Sequence, residues 1–142
     1  MAIANLHETL LNLTLRINRL NLDISGYQSQ KTLALSAQAD SQSLKSAEER
    51  AVRNKYKDLF NQGEYGEKYK DYTEIPDFEA EIDKITAKYT DELAELTAWE
   101  NAINAQITTA SAELEEAKAY KESYKAMLSS NIQGDFNYGN GN

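Results

Sequence analysis

Ile3, Leu6, Leu10, Leu13, Ile17, Leu20, Ile24 and Tyr27 follow one another at spacings that alternate between three and four residues. A helix turns once in about 3.6 residues, so these side chains share one face, and an a/d repeat of this kind predicts the seam of a left-handed coiled coil. Leu11, Leu15 and Leu22 lie outside the seam and add a flanking apolar strip. A contact between two helices does not require that strip, and the widened stripe predicts a helix that touches more than one neighbour.

Beyond Gly26 the apolar positions Leu33, Ala37, Leu44, Ala47 and Ala51 keep helical spacing in a register shifted by one residue from the first. Ser36–Ser46 is rich in Ala, Ser and Gln. Two readings stand for it: small side chains that let a second helix approach closely, or a weakly packed, solvated stretch. Val52, Tyr56, Leu59 and Phe60 resume the pattern before Asn61-Gln62-Gly63, a helix stop with glycine in the left-handed position. The connection that follows carries Gly63, Gly66 and Pro76, with Thr73 or Asp77 as the candidate cap of the next helix. Tyr65, Tyr69 and Tyr72, spaced by four and three, allow a short extra helix there.

A second periodic run is Phe78, Ile82, Ile85, Tyr89, Leu93, Leu96, Trp99, Ile103, Ile107, Ala110, Leu114, Ala117, Tyr120, Tyr124 and Met127. From Asn131 onward, Gly134, Gly139 and Gly141 stand among asparagines without periodicity, which predicts a flexible tail. The chain therefore divides into a first long helix (1–62), a Tyr/Gly connection (63–76), a second long helix (77–130) and a tail (131–142). At about 1.5 Å per residue, helices of roughly 57 and 52 residues have matching lengths of about 85 and 78 Å. One connection between two matched helices predicts an all-α fold, a long antiparallel two-helix coiled-coil hairpin. So thin a hairpin buries little of its apolar stripe, and oligomerisation is the expected way to cover the rest.

Charge supports the pairing. Residues 1–62 carry eight Lys/Arg against six Asp/Glu, a net +2, whereas residues 63–142 carry seven against seventeen, a net −10. The two halves attract when laid side by side. The overall −8 argues against nucleic acid, which is held by clustered cations. No apolar run approaches the roughly 18 residues of a membrane span. Cysteine is absent, which removes disulfides, thiolate metal sites and sulfur redox chemistry. The start, Met-Ala-Ile-Ala-Asn-Leu-His-Glu, lacks the basic and apolar regions of a secretory signal, which leaves the compartment open; export without a cleaved signal to the cell surface or beyond is weighed ahead of a cytoplasmic location only on the resemblance given below.

Candidate chemistry is sparse. His7, the only histidine, lies in a terminal turn beside Glu8 and Thr9 without the nucleophile and orienting carboxylate that catalysis needs. The acidic clusters Asp91, Glu92, Glu95 and Glu113, Glu115, Glu116 lack the Glu-x-x-His pair of bundle metal sites and read as a solvated face, with pairs such as Glu81–Lys84 and Glu122–Lys125 along the helix. Phosphate loops, nucleophile elbows and zinc spacings are missing. Asn12-Leu13-Thr14 matches a glycosylation triplet but falls inside the apolar-patterned helix. The expectation is a non-enzyme with no cofactor and no metal.

The layout resembles flagellin-type and type III secretion filament subunits: a heptad helix starting within a few residues of Met1, a mid-chain excursion, and a C-terminal helix returning alongside, with seams at Ile3–Tyr27 and Ala110–Met127 and no cysteine. That resemblance implies paired terminal helices lining the core of a hollow filament and a dedicated export route. The chain departs from it in its Gly/Asn tail, where those subunits end in an apolar helix.

Two functions follow as expectations. One is a self-assembling subunit of a filament, sheath or bundle, with copies of itself as partners. Its interface would comprise Ile3, Leu6, Leu10, Leu11, Leu13, Leu15, Ile17, Leu20, Leu22, Ile24 and Tyr27 on the first helix and Leu96, Trp99, Ile103, Ile107, Tyr120, Tyr124 and Met127 on the second. The other is a coiled-coil adaptor or export chaperone that buries the same strips on a different protein. Tyr65, Tyr69 and Tyr72 form the candidate partner patch.

Overall fold

The computed structural model describes the backbone of residues 2–140 and the side chains of residues 2–134. Helix α1 (Ile3–Asn61) is followed by a 3₁₀ turn at Tyr72–Glu74 and by helix α2 (Pro76–Asn140), with no strand among the described residues. The two long helices pack against each other as an antiparallel hairpin, so the all-α fold expected from periodicity is the one observed. The direction is visible in the polar contacts. As the α1 partner advances from Gln38 to Glu48 to Lys55, its α2 partner retreats from Glu100 to Lys88 to Glu81.

Each helix keeps its heptad register more strictly than its apolar residues suggest. On α1 every position in the alternation Ile3, Leu6, Leu10, Leu13, Ile17, Leu20, Ile24, Tyr27, Lys31, Ala34, Gln38, Ser41, Lys45, Glu48, Val52 is buried or half-buried. The register does not shift after Gly26. Lys31, Gln38, Ser41, Lys45 and Glu48 hold the seam, while Leu33, Leu35 and Leu44 are exposed. On α2 the same alternation runs unbroken from Leu93 to Asn131 and selects Glu100, Lys121 and Leu128, where hydrophobicity alone pointed to Trp99, Tyr120 and Met127. Those three are exposed. The reason is geometric: a supercoiled pair keeps the 3.5-residue period at the contact whichever side chain the sequence supplies there.

The chain forms two compact units, Met1–Gln30 with Ile103–Asn142, and Lys31–Ala102. In the first, Leu13 and Leu20 of α1 bury against Ala110, Leu114 and Ala117 of α2, flanked by Ile17, Ile24, Tyr27 and Tyr124. Two of the three buried α2 residues are alanines, which lets the helices approach closely there. In the second, both helices carry two successive four-residue steps, at Glu48, Val52, Tyr56 and at Ile85, Tyr89, Leu93. The Glu48–Lys88 and Lys55–Glu81 pairs set these steps opposite each other. An extra four-residue step is a stutter that locally unwinds the supercoil, and matching stutters let both helices do so together.

At the connection, α1 ends in a full Schellman arrangement. The Gly63 amide donates to the Phe60 carbonyl at 3.1 Å and the Glu64 amide to the Leu59 carbonyl at 3.2 Å, with Gly63 at φ 81°. The 3₁₀ turn is capped by Asp71, whose Oδ1 accepts from the Tyr72 amide at 2.7 Å and whose Oδ2 accepts from the Thr73 hydroxyl at 3.0 Å. Neither Thr73 nor Asp77 caps α2, which begins at Pro76 and closes its first turn on the Ile75 carbonyl. At its other end α2 runs on through Asn140 instead of stopping near residue 130. Glycine lowers helix propensity by about 1 kcal/mol but stops a helix only when it turns left-handed, and among the described residues only Gly63 and Gly66 do.

Candidate assembly surfaces

The residues expected at an interface with other chains fall into two groups. Leu6, Leu13, Leu20 and Ile103 are buried, and Ile3, Leu10, Ile17, Ile24, Tyr27, Leu96, Ile107 and Tyr124 are half-buried, on the seam faces of α1 and α2. This set is occupied within the hairpin itself. The second group is not: Leu11, Leu15 and Leu22 are 59, 57 and 73% exposed, and Trp99, Tyr120 and Met127 are exposed on α2.

Leu11, Leu15 and Leu22 follow from their register. Leu11 precedes the buried Leu13 by two residues, and Leu15 and Leu22 follow the buried Leu13 and Leu20 by two. Two residues turn a helix by about 200°, so the strip lies on the far side of α1 from its seam. Arg19 is four residues after Leu15 and three before Leu22, and so shares their face. Between Thr9 and Leu22 the only charged residues are Arg16 and Arg19, both exposed.

A groove opens elsewhere on the same unit, about 300 Å³ in volume, lined by Leu20, Asp23, Tyr27, Ala105, Gln106, Thr109, Ala110 and Glu113. It exists because α2 presents small side chains there, Ala105, Thr109 and Ala110, beside the larger Leu20 and Tyr27 of α1. Of its lining, Leu20 and Ala110 are buried and Tyr27 half-buried, whereas Asp23, Gln106, Thr109 and Glu113 are exposed polar residues. Among the described residues Arg16, Arg19, Asp23 and Glu113 take part in no ion pair.

The second unit carries the polar part of the seam. The Gln38 amide donates to Glu100 Oε2 at 2.8 Å and to the Leu96 carbonyl at 3.4 Å. Ser41 Oγ is buried with no hydrogen-bond partner. The Tyr89 hydroxyl donates to the Glu48 carboxylate, which also takes Lys88 Nζ at 3.3 Å, and these donors hold the Glu48 carboxyl below its ordinary range. Burial raises the Tyr89 and Tyr56 phenols, and the Glu48 and Glu81 carboxylates raise Lys88 and Lys55. Glu81 thus reaches across the hairpin to Lys55 at 3.2 Å, where the sequence suggested Lys84 on its own helix. Along α2, Lys118 meets Glu115 at 3.7 Å.

Tyr65, Tyr69 and Tyr72 are half-buried and pack against Tyr56, Ile75 and Phe78. Tyr72 meets the Phe78 ring edge-on at 5.3 Å and Tyr56 meets it at 5.7 Å, while Tyr65 and Tyr69 contact each other at 6.1 Å. The three tyrosines close the connection onto the helices and leave only part of their surface to a partner.

Among the described residues no three metal-binding side chains converge, no helix is long and apolar enough to cross a membrane, and His7 is exposed. Comparison of the chain with protein-family models, curated proteins and solved structures gives no significant match.

Proposed function

We propose that this chain is a structural subunit that assembles with copies of itself, a non-enzymatic coiled-coil hairpin whose outer strips pack against neighbouring hairpins in a filament, sheath or bundle. The observation that carries this reading is the strip Leu11, Leu15 and Leu22, 59, 57 and 73% exposed on the face of α1 opposite its seam. Scattered exposed leucines are ordinary, but three in helical register on one face form a contiguous patch of the kind that marks an interaction surface. Because the seam residues are consumed within the hairpin, assembly runs through the outer strip, and the subunit folds before it assembles. The filament-subunit layout, with its signal-independent export, belongs to the same proposal.

Sedimentation velocity and negative-stain imaging of the purified chain test it. The unmodified chain gives species larger than a monomer, and the triple change Leu11→Ser, Leu15→Ser, Leu22→Ser leaves a helical monomer. An unmodified chain that stays monomeric at every concentration sinks self-assembly and favours an adaptor that buries the strip on a different protein.

A further inference from the structure

We draw no further inference here: the strongest candidate, the surface groove of the first unit lined by Leu20, Asp23, Tyr27 and Glu113, has Arg19 on the same helix four residues before Asp23, and nothing in the structure shows what fills it or what covers the leucine strip of α1.

Discussion

Ser41 and Gln38 occupy neighbouring seam positions of α1 and meet opposite fates. Gln38 finds Glu100 and the Leu96 carbonyl, whereas the Ser41 hydroxyl is buried without a partner. A desolvated hydroxyl left unsatisfied costs about 1–3 kcal/mol, and serine is also a weaker helix former than alanine. Ser41→Ala is therefore expected to stabilise the chain by about 1–2 kcal/mol. Urea unfolding measures this as a raised midpoint, and a lowered one would show that the hydroxyl is bonded after all. Titration gives a second residue-scale prediction. Burial raises the Tyr56 and Tyr89 phenols, and partner carboxylates raise Lys55 and Lys88, so above the ordinary value of about 10 the folded chain binds more protons than the unfolded one. Stability contributed by these groups is complete below that pH and is lost as pH rises through their folded values. Glu48, lowered by Tyr89 and Lys88, contributes above the ordinary carboxylate range and loses its contribution as pH falls through its folded value. Thermal melts should show a broad neutral plateau falling on both sides. Tyr89→Phe removes one titrating phenol and should flatten the alkaline limb; an unchanged limb would remove Tyr89 from this account.

At the scale of elements, both long helices were legible because three-and-four spacing persisted for tens of residues and one glycine-rich break separated them. The stop at Gly63 was legible too, since only glycine enters the left-handed region cheaply. What could not be read was which residues hold the seam where hydrophobicity and strict alternation disagree. Leu33 and Leu44 drew the first helix into a false register, and Trp99 and Met127 did the same to the second, because an apolar pattern ranks side chains and a supercoil ranks positions. Counting the alternation onward from Ile3 would have placed Lys31, Gln38 and Ser41 on the seam and exposed the leucines as outer-face residues. The groove was not legible, because it arises from small residues of α2 set beside Leu20 and Tyr27 across the hairpin. The connection holds a further lesson, for its tyrosines, read as a surface patch, also pack on Tyr56, Ile75 and Phe78 with part of each side chain. Phe78, buried and edge-on to two tyrosines, should lose about 3–5 kcal/mol on Phe78→Ala by the large-to-small rule. Replacing Gly66–Tyr72 by a Gly/Ser linker should destabilise as well, although loop entropy alone predicts almost no change. Denaturant melts of the two variants decide this: equal stability of linker-replaced and unmodified chains would mean that Tyr69 and Tyr72 add nothing to the closure.

For the whole molecule, the contrast between the two units sets where the chain opens. In the first unit the seam is Leu13, Ile17, Leu20, Ile24 and Tyr27 against Ala110, Leu114 and Ala117. In the second, the α1 side from Lys31 to Glu48 is Lys, Ala, Gln, Ser, Lys and Glu at successive seam positions, with its apolar cluster confined to Tyr56, Ile75 and Phe78 near the connection. Fully burying a large apolar side chain contributes about 1.5–3 kcal/mol, whereas exposed ion pairs such as Lys55–Glu81 and Lys88–Glu48 are screened by solvent and contribute far less. Helical backbone between Lys31 and Glu48 is thus held by the weakest side-chain packing along α1. Polar seam residues specify register at the expense of stability, as a buried amide does in a coiled coil, and Gln38 with Glu100 is placed to do this here. Native-state amide exchange is the measurement that separates these contributions, because it reports the opening free energy of each segment. Amides from residues 31–48 should exchange faster than those from residues 10–27 and from residues 52–60. Replacing Gln38 and Lys45 together by leucine should slow the 31–48 set towards the others while leaving residues 10–27 unchanged. Uniform protection along α1 in the unmodified chain would show that the polar seam is as firmly closed as the apolar one, and that seam chemistry does not set local stability in this hairpin.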